Sequence, residues 1–170
     1  MIVLLKIMHN YILNNMSHII HSRKTISQNR RASYDYTLLD RIEVGIVLKG
    51  SEVKSLRLGK VSIAESHVVE IQNELFLVGC HISPYSKSSQ FEDIDSTRMR
   101  KLLLHRKQIK KLSGSIARKG FTIIPTFLYF NRKNIVKLEI AVAEGKKKHD
   151  KRQAIKEKEW KRRQSKEMQL

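Results

Sequence analysis

Tyr34-Asp-Tyr36-Thr-Leu38-Leu-Asp-Arg-Ile42-Glu-Val44-Gly45-Ile46-Val-Leu48 is the stretch that decides the fold. Tyr36, Leu38, Ile42, Val44, Ile46 and Leu48 recur at even positions, which is the period of a strand with one face buried. Gly45 inside such a run points to a bulge or a sharp bend of the kind barrels use. Gly50 and Ser51 end the strand. Ser51 can cap a short helix over Glu52–Leu58, and Gly59 suits its C-terminal end. Val53, Leu56 and Leu58 would then face inward, with Lys54 and Arg57 projecting outward.

Downstream, Val68–Ile71 and Leu75–Ile82 read as a hairpin turning at Gln72-Asn73-Glu74. Ser83–Ser96 is serine-rich and acidic and reads as a loop. Met99, Leu102, Leu103, Ile109, Leu112 and Ile116 follow a 3.6-residue period, so a helix is expected across them, ended by Gly120. Gly114 weakens that helix. Phe121–Ile124, Phe127–Phe130 and Ile135–Ala143 are strand-like, the last with Val136, Leu138, Ile140 and Val142 on one face. About six short strands, one short helix and one longer helix amount to a mainly β fold, a barrel with flanking helices. A small barrel of the oligonucleotide-binding kind suits the charge, although pattern alone does not fix that topology.

The charge is heavily positive. The chain has 170 residues, with 34 Lys and Arg against 16 Asp and Glu, a formal net charge of +18. That balance points to a polyanionic partner. Residues 1–28 carry +3 with no acid, residues 29–144 carry 20 basic and 12 acidic residues, and residues 145–170 carry 11 and 4. The last segment has few large apolar residues. It is expected to be a tail, disordered when free, because it buries too little surface to offset its ordering entropy. Residues 1–28 lack the order of a signal peptide, and Met16 is an alternative start. They are read as an extension outside the barrel domain, 29–144.

Catalytic signatures are missing: no GxSxG, no HExxH and no glycine-rich phosphate loop occurs. His67, His81 and His105 lack metal-ligand spacing. Cys80, the single cysteine, reads as a core residue and excludes an intrachain disulfide. Glu92, Asp93 and Asp95 are the one acidic group a magnesium-dependent nuclease would use, and a solvated loop explains them more simply. No stretch of about 20 apolar residues would cross a membrane. Neither a cofactor nor a metal is expected. Signals for RNA are better: Asn29, Arg30, Arg31 and Tyr34 open the domain, and Arg98, Arg100, Lys101, Arg106, Lys107, Lys110 and Lys111 decorate the long helical region. Beyond Lys146-Lys147-Lys148, Ile155 and Trp160 lie about 140° apart on a helix, which suits a basic helix laid along RNA better than one packing its own core.

Four motifs in order carry a family resemblance: Gly45 to Arg57; His81-Ile-Ser-Pro84-Tyr85; Arg98 to Arg106; and Gly145 to Arg152 with Ile155-Lys-Glu-Lys-Glu-Trp160. From Asn29 to about Met168 the chain resembles the bacterial SsrA-binding protein (small protein B) family. That resemblance implies an oligonucleotide-binding (OB)-like barrel of about six antiparallel strands and a non-catalytic role in trans-translation. It implies as partners the tRNA-like domain of transfer-messenger RNA, the stalled 70S ribosome, and elongation factor Tu with the alanyl-charged RNA. It also implies a monomer in the bacterial cytoplasm. By motif, Asn29, Arg30, Arg31, Glu52, Lys54 and Arg57 resemble part of the RNA-binding face, joined by Arg98, Arg100, Lys101 and Lys137. Gly145, Lys146, Lys147, His149, Asp150, Lys151 and Arg152 resemble the segment at the decoding centre, and Ile155 and Trp160 the start of a helix in the mRNA channel. Glu167 beside Met168 departs from an apolar pair frequent in the family. A general RNA-binding barrel without preference for that RNA, and an RNA-processing enzyme using Glu92, Asp93 and Asp95, are the competing readings.

Overall fold

The clean alternation of Val136, Leu138, Ile140 and Val142 does become the inner face of a strand, and all four lie in the main core. The structure is a computed structural model and describes residues 24–85, 95–117 and 120–147, with Asp150, Glu159, Trp160 and Gln164. Its elements run β1 (Lys24–Gln28), α1 (Ala32–Asp35), β2 (Tyr36–Ile46), α2 (Gly50–Arg57), β3 (Val61–Ser62) and β4 (His67–Ile71). They continue with β5 (Glu74–Val78), β6 (His81–Ile82), β7 (Arg100–Leu103), α3 (Arg106–Ile116), β8 (Phe121–Phe130) and β9 (Val136–Gly145).

Six of these strands close a ring, β8-β4-β5-β7-β2-β9 and back to β8, with every neighbour antiparallel. Closure leaves little unpaired sheet edge. The seam between β4 and β8 is narrow, a single pair, Val68 with Ile123. β1 adds to the outside of the ring along β8. Inside lie Val44, Leu75, Leu77, Leu102, Ile123, Leu128, Leu138 and Ile140. The expected mainly β barrel is therefore present, with about the expected number of ring strands.

Membership of the ring differs from expectation. The two phenylalanine stretches are one strand, β8, which runs through Pro125 and slips register between Pro125 and Phe127. Proline donates no ladder hydrogen bond, so a strand crosses it only with such an irregularity. β7 supplies the remaining place. The expected helix therefore begins at Arg106 and not near Met99, because Arg100 and Leu102 point inward while Met99, Lys101 and Leu103 point outward. A three-residue alternation and one turn of a helical stripe share the pair Met99–Leu103, and pairing with β5 and β2 decides for the strand. Leu75–Ile82 breaks at Gly79 (φ 72°), and its end pairs separately with β3. Residues 24–28, placed in the extension by sequence, form β1, so the barrel begins before Asn29.

In β2 the bulge falls at Leu39–Asp40 and not at Gly45. Leu38 opposes Ala143 and Arg41 opposes Ala141, so the strand carries one extra residue. That residue flips the facing. Tyr36 and Leu38 pack outside the ring with Ala32, Ile124 and Ala143, whereas Ile42, Val44 and Ile46 join the main core. Gly45 has a different use: a Cβ there would meet Leu103 Cβ at 3.1 Å. The two-residue turn Gln72-Asn73 has positive φ at both positions, the hairpin geometry matched to strand twist.

α2 starts at Gly50, capped by Glu52 Oε2 accepting from Lys49 N at 2.7 Å. The expected cap, Ser51, lies inside the helix, and its hydroxyl has no partner among the described residues. Leu56 is buried and Val53 partly so, as expected, but Leu58 is turned out to solvent. Gly114, with nothing near its absent Cβ, stays within α3.

Two alanine substitutions test these assignments in opposite directions. Gly79→Ala would place a Cβ 2.8 Å from the Glu65 carbonyl oxygen at a left-handed φ. It should destabilise by about 2 kcal/mol or more in urea unfolding. Gly114→Ala should stabilise by about 0.5–1 kcal/mol, as expected of an exposed helical glycine. A neutral Gly79→Ala would contradict the break between β5 and β6.

Candidate nucleic-acid interface

The strongest electrostatic feature of the barrel is buried. Glu52, 4 % exposed, sits on the first turn of α2. Its Oε1 accepts from Arg98 Nε at 2.9 Å and from Arg100 Nε at 2.8 Å, and its Oε2 accepts from Arg98 Nη2 at 2.5 Å. Arg100 is wholly buried. Its remaining donors reach the carbonyls of Cys80 at 2.6 Å, Arg98 at 3.0 Å and Ser96 at 3.0 Å. Burial pushes the Glu52 carboxyl up. The Arg98 hydrogen bonds, the Lys49 amide and the Arg100 charge outweigh it and hold the carboxyl below its ordinary value of 4.5. Burial likewise pushes the neighbouring Cys80 thiol up to about 11, so no thiolate forms near neutral pH. Glu52 and Arg100, two residues expected at the RNA-binding face, thus point into the protein. They fix α2 and the strand β7 behind the surface and present no charge themselves.

On the solvent side of that network, Lys54 and Arg57 are exposed as the helical spacing requires. Lys54 Nζ stands 5.5 Å from the Tyr85 ring centroid, a cation–π distance. Arg98 is partly exposed and reaches the Val47 carbonyl at 3.4 Å. Lys101 and Lys137 lie on the outer face, flanking β2. Lys137 opposes Gly45 from β9 and stands 3.8 Å from Glu43 Oε1, and Lys101 pairs with Glu74. The same face carries three residues the sequence reading did not select: Glu43, bonded to the Tyr129 hydroxyl, and the exposed Val47 and Leu103. Their common face follows from the pairing of β2 with β7 and β9, which no spacing in the sequence shows.

Asn29 is also structural in position. Its Oδ1 accepts from Ala32 N at 3.1 Å and caps α1, and its own amide reaches the Thr126 carbonyl at 2.9 Å. Arg30 is exposed. Arg31 is exposed too, within 3.6 Å of Asp35 and 3.3 Å of Glu65. The start of the tail meets this corner. Gly145 ends β9 opposite Tyr36, so it belongs to the barrel. Lys146 N donates to the Asp35 carbonyl at 3.0 Å and its Nζ to the Ser33 carbonyl at 2.8 Å. Lys147 N donates to Asp150 Oδ2 at 3.2 Å. Trp160 is 61 % exposed. His149, Lys151, Arg152 and Ile155 lie outside the described residues, as do Glu92, Asp93 and Glu167. Asp95 Oδ1 accepts from the Thr97 amide and hydroxyl, both at 2.8 Å, which is a local turn. Among the described residues no group of three His, Cys, Asp or Glu is placed to hold a metal, and no helix is long and apolar enough to cross a membrane.

A closed antiparallel ring with three helices packed around it and basic side chains on its surface is an OB-like barrel of the polyanion-binding sort. The chain belongs to the SmpB protein family, whose sequence profile matches residues 26–170. The SsrA-binding protein of Rickettsia conorii is 54 % identical over 143 residues, 84 % of this chain and 93 % of that protein. The SsrA-binding protein of Rickettsia bellii is 52 % identical over 143 residues, 84 % and 94 % of the two chains. A solved chain from work on tmRNA–SmpB and its journey to the center of the bacterial ribosome matches with a TM-score of 0.61 and 41 % identity. It covers 75 % of this chain and 92 % of that one.

Glu52 supplies a test of the buried network. Glu52→Ala leaves the Arg100 guanidinium buried without its counter-charge and should cost about 3–5 kcal/mol in denaturant unfolding at pH 7. A folded-state pKa below 4.5 means the carboxylate stabilises fully above about 4.5 and loses this as pH falls through the folded value. The stability gap between wild type and Glu52→Gln should therefore narrow on acidification below pH 4.5. A gap independent of pH would contradict the ion pair.

Proposed function

We propose that this protein is a non-catalytic adaptor of trans-translation. It binds the tRNA-like domain of transfer-messenger RNA and brings it to stalled 70S ribosomes, so that the nascent chain is tagged for degradation and the ribosome is released. The single observation carrying this reading is the combination of family membership with likeness, at 41 % identity, to a chain from work on tmRNA–SmpB and the bacterial ribosome. The alanyl-charged RNA arrives with elongation factor Tu, and the protein acts as a cytoplasmic monomer.

The barrel surface supports a division of labour. Arg30, Arg31, Lys54 and Arg57 offer exposed cations, and Arg98, Lys101 and Lys137 add partly exposed ones. Phosphate contacts of this kind supply much of RNA affinity, and Arg also stacks on bases. Asn29, Glu52 and Arg100 act through these neighbours by holding α1, α2 and β7 in place. The tail leaves the barrel at Lys146, beside α1 and Arg31. From there Lys147, His149, Asp150, Lys151 and Arg152 serve the decoding centre, and the segment from Ile155 to Trp160 begins a helix in the vacant mRNA channel. A segment that orders only in an empty anionic channel discriminates empty from filled ribosomes through its ordering cost.

Binding to labelled transfer-messenger RNA and to ordinary tRNA at ~0.15 M salt tests this reading. The full chain and a version ending at Lys147, which keeps β9 and the Lys146 contacts, should both prefer the tRNA-like domain at least tenfold. Equal binding of tRNA by both would favour a general RNA-binding barrel. Magnesium-dependent cleavage of the RNA would favour the enzyme reading.

A further inference from the structure

Of the four sequence motifs, His81-Ile-Ser-Pro84-Tyr85 is the one that the cationic face and the tail leave without a part. Its Ile82 is buried and pairs with Val61. Ser83 N donates to the Lys60 carbonyl at 3.1 Å, so the residues that follow are held beside the C-terminal end of α2. Pro84 is exposed, Tyr85 is half-buried, and neither is part of the core. The Tyr85 ring instead has Lys54 Nζ over it at 5.5 Å from the centroid.

Leu58 is the second unexplained side chain here. Its spacing predicts an inward position, yet it is 57 % exposed. Lys54, Arg57 and Leu58 stand at i, i+3 and i+4 and therefore share one helical face. The cations of this region are also unlike those of the sheet. Arg41 is matched with Glu139, Lys101 with Glu74 and Lys137 with Glu43. Lys54, Arg57 and Lys60 are exposed and have no acidic partner among the described residues. A tyrosine outside the core and a solvent-facing leucine thus stand among unmatched cations.

We propose that Tyr85 is a stacking platform for one unstacked base of a bound RNA loop, with Leu58 as a second apolar contact and Lys54 and Arg57 on the flanking phosphates. A surface for phosphates alone is served by Lys and Arg without apolar side chains. RNA loops differ from paired helices in offering unstacked bases, which stack on aromatic rings and lie between cations that hold the backbone. The Lys54 contact orients the Tyr85 ring before RNA arrives, so less order is lost on binding. Stacking does not choose the base, because every base has a π face. The platform therefore selects looped over paired RNA. This inference rests on the RNA-binding part of the proposed function, in which the loop belongs to the tRNA-like domain.

The test compares Tyr85→Leu, Tyr85→Phe, Leu58→Ser and Lys54→Gln in the full chain. Affinities for the tRNA-like domain and for a blunt, fully paired RNA duplex are measured at several salt concentrations. Tyr85→Leu should weaken binding of the tRNA-like domain about tenfold, the loss expected of one stacked base, with the log–log salt slope unchanged. Its binding of the duplex should stay within about twofold, and Tyr85→Phe, which keeps the ring, should stay within about twofold on both RNAs. Lys54→Gln should instead weaken both and reduce the slope by about 1. Leu58→Ser, on an exposed site, should weaken only the looped RNA, which keeps the test decisive if Tyr85→Leu unfolds in less urea than wild type. An unchanged affinity of Tyr85→Leu for the tRNA-like domain overturns the proposal, as does an equal loss on the duplex. A slope reduced as in Lys54→Gln also overturns it, because Tyr85 would then only position Lys54. Equal wild-type affinity for ordinary tRNA and the tRNA-like domain would count against the adaptor reading alone, since tRNA loops offer unstacked bases too.

Discussion

The buried pair of Arg100 and Glu52 is the constraint on which the functional surface depends. Arg100 is fully enclosed, and its donors reach Glu52 and the carbonyls of Cys80, Ser96 and Arg98. One side chain thereby ties α2, the junction between β5 and β6, the segment before β7 and β7 itself to each other. A buried guanidinium is costly unless every donor is met, and replacing one partner strands the other. The network also fixes where Lys54, Arg57 and Arg98 stand, because each is carried by an element that Glu52 or Arg100 holds. Preorganised cations bind RNA phosphates without first being ordered, which favours affinity.

A second constraint is closure. Six antiparallel strands close on themselves, β1 covers the stretch of β8 that β4 does not reach, and helices pack over the core they enclose. The bulge at Leu39–Asp40 lets β2 serve two packing layers, the core on one side and the α1 corner on the other. That corner is where Arg31 stands and where Lys146 leaves β9. Lys146 is consequently held to α1 by hydrogen bonds from its amide to the Asp35 carbonyl and from its Nζ to the Ser33 carbonyl.

Much of this was legible in the sequence, because strand alternation survives wherever one face is buried. Val136 to Val142, the hairpin at Gln72-Asn73, and α2 with Lys54 and Arg57 outward all follow from period and turn chemistry. Errors arose where two patterns coincide over a short span. Met99, Leu102 and Leu103 fit a helical stripe, and only pairing with β5 and β2 makes Arg100 an inward residue. Composition set Lys24–Gln28 aside with the segment before it, although Ile26 packs on the core. Basic residue type alone could not separate a surface cation such as Arg57 from a buried one such as Arg100, since burial is decided by strand facing. Glu43 and Leu103 share the outer face with Lys101 and Lys137 through cross-strand register, which no local motif encodes.

The central claim is that barrel and tail do different work on one RNA pathway. The most direct measurement is tagging of a nascent chain in a reconstituted translation reaction programmed with a message lacking a stop codon. The account predicts that the full chain supports tagging, while the version ending at Lys147 supports none despite retaining its RNA affinity. Equal tagging by the two forms would contradict a separate role for the tail, and no tagging by the full chain would contradict the adaptor function itself.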